Sequence, residues 1–262
     1  MLISFIAKKR EKTVKEIIKH NVKYLLFLII CGLVGGYFTA VYTIQSLSQD
    51  IIDEAIAQVG RIEIVIAITT IQSLGYAVIL GIIGKILAKK IGLWRKIEFS
   101  KRAIIDTLII SIFGGIAFIL ADHLIFNNFS DVIKSSYALK PTIEYIIASI
   151  LYGGVIEEVM LRLFTMSLIA LIVQKLAKKD SMDEKSLIIA NIVAAVLFAT
   201  GHLPATILTI GTSPMILIRC FVMNGGFGLM FGYLYRKHGI HSSMIAHAGV
   251  HIISKIIWIL FI

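Results

Sequence analysis

Two adjacent carboxylates and a guanidinium stand in one apolar decapeptide, Gly153-Gly154-Val155-Ile156-Glu157-Glu158-Val159-Met160-Leu161-Arg162. Arg162 follows Glu158 by four residues, so on a helix the two share a face and can pair. Glu157 then points about 100° away around the helix and is left without an obvious partner. A carboxylate free of its salt bridge in such surroundings is a candidate general base. A purely structural ion-pair knot is the equal alternative for this segment taken alone. A second chemical segment, Phe198-Ala199-Thr200-Gly201-His202, places a histidine just before Pro204. A lone histidine there reads more simply as a hydrogen-bonded core residue. The third is His247-Ala248-Gly249-Val250-His251. Its two imidazoles, at i and i+4, lie on one helix face at the spacing of helical metal ligands. A zincin helix places Glu directly after the first His; Ala248 stands there, so that motif fails.

These groups must be positioned by membrane helices. Of the 262 residues 58% are hydrophobic and 16% charged, and mean hydropathy is +0.89. An ordinary soluble domain carries roughly 45–50% apolar and about 25% charged residues. The composition excludes a soluble single domain and a disordered chain, and predicts an all-α, polytopic membrane helix bundle in one integral membrane domain, 1–262. A crossing needs about 20 apolar residues, which predicts about seven transmembrane helices: 23–47, 62–88, 103–126, 142–174, 187–203, 214–235 and 241–262. The fifth is expected to stop at the His202-Leu203-Pro204 turn, and 127–141 to be a short polar loop. Paired glycines, such as Gly114-Gly115 and Gly153-Gly154, read as close helix packing. Cys31 and Cys220 both fall in apolar runs and read as small buried hydrophobes.

The net charge of +10 is a matter of topology. Twenty of the 26 basic residues fall in every second connection: Lys8 to Lys23, Lys85 to Arg102, Lys175 to Lys185, and Arg236 with Lys237. The intervening connections hold only Arg61, Lys134 and Lys140. This positive-inside pattern predicts a cytoplasmic N-terminus in a cell membrane and attraction to anionic lipid headgroups, with no nucleic-acid partner. Other polar residues within the spans, Asp106, Asp122, His123, Arg219, Asn224 and Lys255, read as interhelical hydrogen bonders or span-end groups, with a transport pathway as the bolder reading. No inverted repeat or pair of broken helices supports a transporter.

Glu157-Glu158-x-x-x-Arg162, Phe198-x-x-x-His202 and His247-x-x-x-His251 resemble, in order, the three motifs of the CPBP family of intramembrane proteases, which comprises CAAX-protease and bacteriocin-processing (Abi) proteins. The resemblance covers 142–255. The departure is at His251, where the family usually has Asn and sometimes Asp. The resemblance implies that Glu157 deprotonates a water, that His202 helps hold and polarise it, and that His247 donates to the developing oxyanion. It implies a site-shaping role for Glu158 and Arg162. His251 could replace the usual amide in a suitable tautomer. Zinc held by Glu157, His202, His247 and His251 is the alternative chemistry; a mechanism with no cofactor is the one favoured. The expected partners are the bilayer and a membrane-associated peptide substrate. The Lys/Ile-rich composition suggests a bacterial protein, and in that setting the resemblance points to bacteriocin or pheromone maturation, or self-immunity. A non-enzymatic membrane immunity or accessory protein that binds a peptide is the alternative function. The complete Glu/His set favours the enzyme, because simple binding does not require those groups.

Overall fold

Short polar residues at the ends of the apolar runs start several of the helices. Ser100, Thr142, Asp183 and Ser213 each accept a hydrogen bond from the backbone N–H three residues on, satisfying a first-turn donor. In the computed structural model, which describes residues 2–262 and side chains from Val22 onward, α1 is Leu2–Gln45 and α2 is Gln49–Val59. The side chains of Lys8, Lys9, Arg10, Lys12, Lys15 and Lys19, part of the charge pattern, lie outside the described residues. α3 (Ile62–Lys90) and α4 (Lys101–Phe129) follow, then the short α5 (Asp131–Ser136). α6 is the helical run 143–176. α7 (Glu184–Thr209), α8 (Pro214–His238) and α9 (Ile240–Phe261) complete the chain. No strand occurs among the described residues.

Six of these helices are long and apolar enough to cross a membrane: Val22–Gln45 of α1, then α3, α4, α7, α8 and α9. The chain is a polytopic membrane helix bundle. α6, expected as a seventh, is not among the six. It is helical throughout, but Ser149–Glu157 and Val159–Met166 are wound as wide π turns, far longer than the single π turns within α3, α4 and α8. Thr165 follows that winding, its hydroxyl bonding the Met160 carbonyl five residues back at 2.7 Å. Such widened turns often occur at functional sites, and these carry Glu157 and Arg162.

Two expectations are corrected. α7 does not end before Pro204 but continues to Thr209 with the proline inside it. In a membrane span a proline is tolerated where side chains and neighbouring helices re-satisfy the freed backbone groups. The segment 127–141 is no simple polar loop either. It holds a 3₁₀ turn and α5, and Ile133 and Tyr137 are buried with Ile119, Ile216 and Met223.

Small residues bring the helices together while branched ones face outward. Ile71, Ile86, Phe113 and Val196 are exposed, whereas Ala77, Ala88, Ala194 and Ala199 are buried, as expected where packing rather than water exclusion drives association. A Cβ at Gly154 would lie 2.8 Å from Ala248 Cβ, so α6 and α9 touch backbone to backbone. Gly239, at φ 97°, joins α8 to α9 in a tight turn that a side chain would strain. That turn sets α9 against α8 and stacks His247 on Phe231, ring centroids 4.3 Å apart.

Candidate active site

Glu157, His202, His247 and His251 line one cavity of about 280 Å³, together with Gly153 of α6 and Phe198 of α7. The sequence leaves a difficulty here. His202 lies eighteen residues into α7 and His247 seven into α9, which for level, parallel helices would be an offset of roughly 16 Å. The two nevertheless meet at one carboxylate, so the helices are tilted or staggered. His202 Nε2 is 3.7 Å from Glu157 Oε1, and His247 Nε2 is 3.9 Å from Glu157 Oε2. Both gaps are too long for direct hydrogen bonds, and one water in the cavity could reach the carboxylate and a ring nitrogen from the side.

Each ring is turned by its other nitrogen. His202 Nδ1–H donates to the Phe198 carbonyl at 2.9 Å, which leaves Nε2 to face Glu157. His247 Nδ1–H donates to Glu158 Oε1 at 2.8 Å. Glu158 is wholly buried and fixed on three sides. Ser243 donates its hydroxyl to Oε2, His247 and Arg162 meet Oε1, and the Arg162 Nη1 distance is 3.1 Å. That last contact is an ion pair without an aligned N–H. Arg162 is also held between aromatic faces, its guanidinium carbon 4.6 Å from the Phe198 ring centre and 5.5 Å from that of Phe231. The expected division of labour is therefore present in the geometry: Glu158 pairs with Arg162, and Glu157 faces the cavity.

His251 stacks on His247 at 5.1 Å and 27°, with Phe118 at its edge. Its Nδ1 is buried without a hydrogen-bond partner among the described residues. Gly153 makes room for both imidazoles, since a Cβ there would stand 3.2 Å from His251 Nε2 and 3.7 Å from His247 Nε2. The residues that sequence reasoning passed over are Ser243 and Phe231. Ser243 was findable, lying four residues before His247 on the same face; Phe231 carries no such signal.

The alternative zinc set is not assembled. Among the described residues, no group of three or more His, Cys, Asp or Glu side chains is arranged to hold a metal ion. No chemical step is routed through a metal.

Residues 140–253 match the family model Rce1-like, type II CAAX prenyl endopeptidase. The resemblance to the CPBP/CAAX-protease family is borne out over that region. No curated protein and no solved structure matches the chain. The matched region holds the cavity-lining residues of α6, α7, α8 and α9 together with Ser243, Glu158 and Arg162; Thr39, Tyr42 and Phe118 of the same lining lie outside it. Several of the other polar span residues have partners outside the Glu/His cluster. Arg219 forks onto Asp122 across helices at 2.5 Å, and His238 and Arg102 converge on Asp106. Asn224, expected as an interhelical bonder, turns back onto the Cys220 carbonyl of its own helix at 2.9 Å.

Proposed function

We propose that this chain is an intramembrane endopeptidase that hydrolyses a peptide bond in a membrane-associated substrate by a glutamate-activated water. The observation that supports this most directly is a Glu157 carboxylate open to the cavity and faced by the Nε2 atoms of His202 and His247 at 3.7 and 3.9 Å, beyond direct hydrogen bonding. The match to CAAX prenyl endopeptidases agrees with it. In this reading a water donates one hydrogen to Glu157 and the other to His202 Nε2, leaving its lone pair for the scissile carbonyl. As the C–O bond forms, Glu157 takes the proton and the carbonyl electrons move onto oxygen. His247, protonated on both nitrogens and supported by the Glu158 carboxylate, donates from Nε2 to that oxyanion. Collapse breaks the C–N bond, and Glu157 passes its proton to the leaving amine. Comparative peptidomics of membranes from cells with wild-type protein and Glu157→Ala tests the reading. A product absent only in the variant supports it; identical peptide pools would favour a non-enzymatic peptide binder.

His251 fits the role of a second oxyanion donor in place of an amide. His251→Asn should retain substantial activity, and His251→Ala should lose about 10²–10³ in turnover, the scale of removing one such donor. Equal damage from both changes with loss of bound zinc would instead make it a metal ligand. Mild effects from both would make it a packing residue.

We assign the N-terminus and the 175–186 connection to the cytoplasm of a bacterial cell, on the alternation of basic residues, and the activity to peptide maturation or self-immunity in that membrane. Single cysteines introduced at Lys179 and Lys134 should label from opposite sides of sealed cells. Labelling from one side would refute the arrangement.

A further inference from the structure

A second polar cavity lies outside the proposed catalytic centre. It has a volume of about 350 Å³ and sits where the 91–100 connection between α3 and α4 meets the end of α8. Arg95, Lys96, Glu98 and Ser100 line it from the connection, and Lys237 and His238 from α8. These groups are not equally engaged. His238 is taken by Asp106 at 2.8 Å, and Lys237 by Glu184 at 3.1 Å. Ser100 accepts the Ala103 N–H as a helix cap. Arg95 donates from Nη1 to the Lys237 carbonyl at 2.5 Å and from Nη2 to the Arg236 carbonyl at 3.2 Å, which anchors the guanidinium to α8. A guanidinium has five N–H groups, so Arg95 keeps donors for a further acceptor. Lys96 makes no hydrogen bond or ion pair among the described residues. Glu98 is the one carboxylate in the lining. The cavity therefore offers an anchored guanidinium and an unpaired ammonium to an anion.

The surroundings identify the kind of anion. Lys90 ends α3 and Lys101 begins α4, so the connection lies at one face of the membrane. Within it Ile97 is 71% exposed and Phe99 56%. Exposed apolar side chains on a span meet lipid tails, but these two lie outside any span and alternate with Lys96 and Glu98. Apolar side chains beside cations are the pattern of a segment seated in the headgroup layer, its apolar groups reaching the acyl boundary. A soluble anion would call for the cations and leave Ile97 and Phe99 without a reason. We propose that this cavity is a headgroup site for an anionic glycerophospholipid, with its phosphate held by Arg95 and Lys96 and its acyl chains against Ile97 and Phe99. Guanidinium N–H groups match phosphate oxygens in geometry as well as charge. This site does not depend on the peptidase reading.

The test uses the full-length protein in phosphatidylcholine nanodiscs, with Trp258→Phe so that Trp94, next to Arg95 in the chain, alone fluoresces. The probes are phosphatidylglycerol and phosphatidylcholine carrying the same dibrominated acyl chains, which quench an indole on close approach. The mole fraction for half-quenching should be about 25-fold lower for phosphatidylglycerol, roughly fivefold for each of two cations. Lys96→Gln should reduce the preference to about fivefold, and Arg95→Gln with Lys96→Gln should erase it. Lys89→Gln with Lys90→Gln removes the same charge outside the cavity and should leave most of the preference. Where Arg95→Gln fails to fold, Lys96→Gln carries the test, since no bond among the described residues depends on that side chain. Equal quenching by the two lipids, or by neither, overturns the site. So does an equal loss from the Lys89 and Lys90 pair, which would mean diffuse surface attraction. Displacement of the brominated phosphatidylglycerol by glycerol 3-phosphate would make this a soluble-phosphate site and refute the lipid.

Discussion

Glu157→Gln is expected to lower turnover by about 10²–10⁴, the range for removing a general base, while leaving folding intact. The two properties separate because of where Glu157 sits. Its side chain is 17% exposed to the cavity, and its nearest ionisable partners are 3.7 and 3.9 Å away, so no direct bond among the described residues depends on it. The amide keeps the shape and loses only the ability to accept and return a proton. Turnover of a substrate identified by peptidomics, read beside the thermal unfolding midpoint, checks this. A variant with unchanged turnover would remove Glu157 from the chemistry, and a variant that fails to fold would make it structural.

Arg162→Met should instead act through stability, with an expected loss of about 3–5 kcal/mol, the scale for leaving one member of a buried ion pair alone. Glu158 would then lie buried with only His247 and Ser243 to meet its charge. Methionine fills much of the space between Phe198 and Phe231 but carries no charge, so the effect reports the ion pair rather than a cavity. The double change Glu158→Gln with Arg162→Met should be milder than Arg162→Met alone, because neither charge remains unpaired. Its activity should still fall, since the carboxylate that accepts His247 Nδ1–H is gone. Unfolding of all three proteins in one detergent gives the comparison. A single variant within about 0.5 kcal/mol of wild type, the usual range for a surface change, would mean that Glu158 and Arg162 are not a buried pair in the membrane.

Much of this site was legible because its signals are local. Glu158 and Arg162 are four residues apart, and helical geometry alone puts them on one face. The same rule puts Ser243, His247, His251 and Lys255 on one stripe of α9. The six spanning helices followed from runs of apolar residues, whose length the bilayer fixes. Local signals failed where a neighbour decides. Pro204 reads as a stop, yet α7 runs through it to Thr209, because a proline in a bundle can be accommodated by groups from elsewhere. The wide turns of α6 have no sequence mark, and the burial of Ile133 and Tyr137 depends on α8 and α9.

The sequence by itself determined the helical membrane class, six of the seven expected spans and the three chemical segments, since each depends on composition or on spacing within one helix. Only the tertiary structure decided that the segments meet. The depth of His202 and His247 in their helices argued for separation, yet both reach Glu157, and Gly153 and Gly154 let the helix that carries it press against α9. Tertiary structure also brought Ser243 and His247 to Glu158, whose pairing with Arg162 the spacing had already given, because those two come from a helix some 85–89 residues away in the chain. It buried Lys255 against the Tyr145 ring with no carboxylate partner among the described residues, a property no spacing rule could show. Helix periodicity assigns faces; only packing assigns which face meets which.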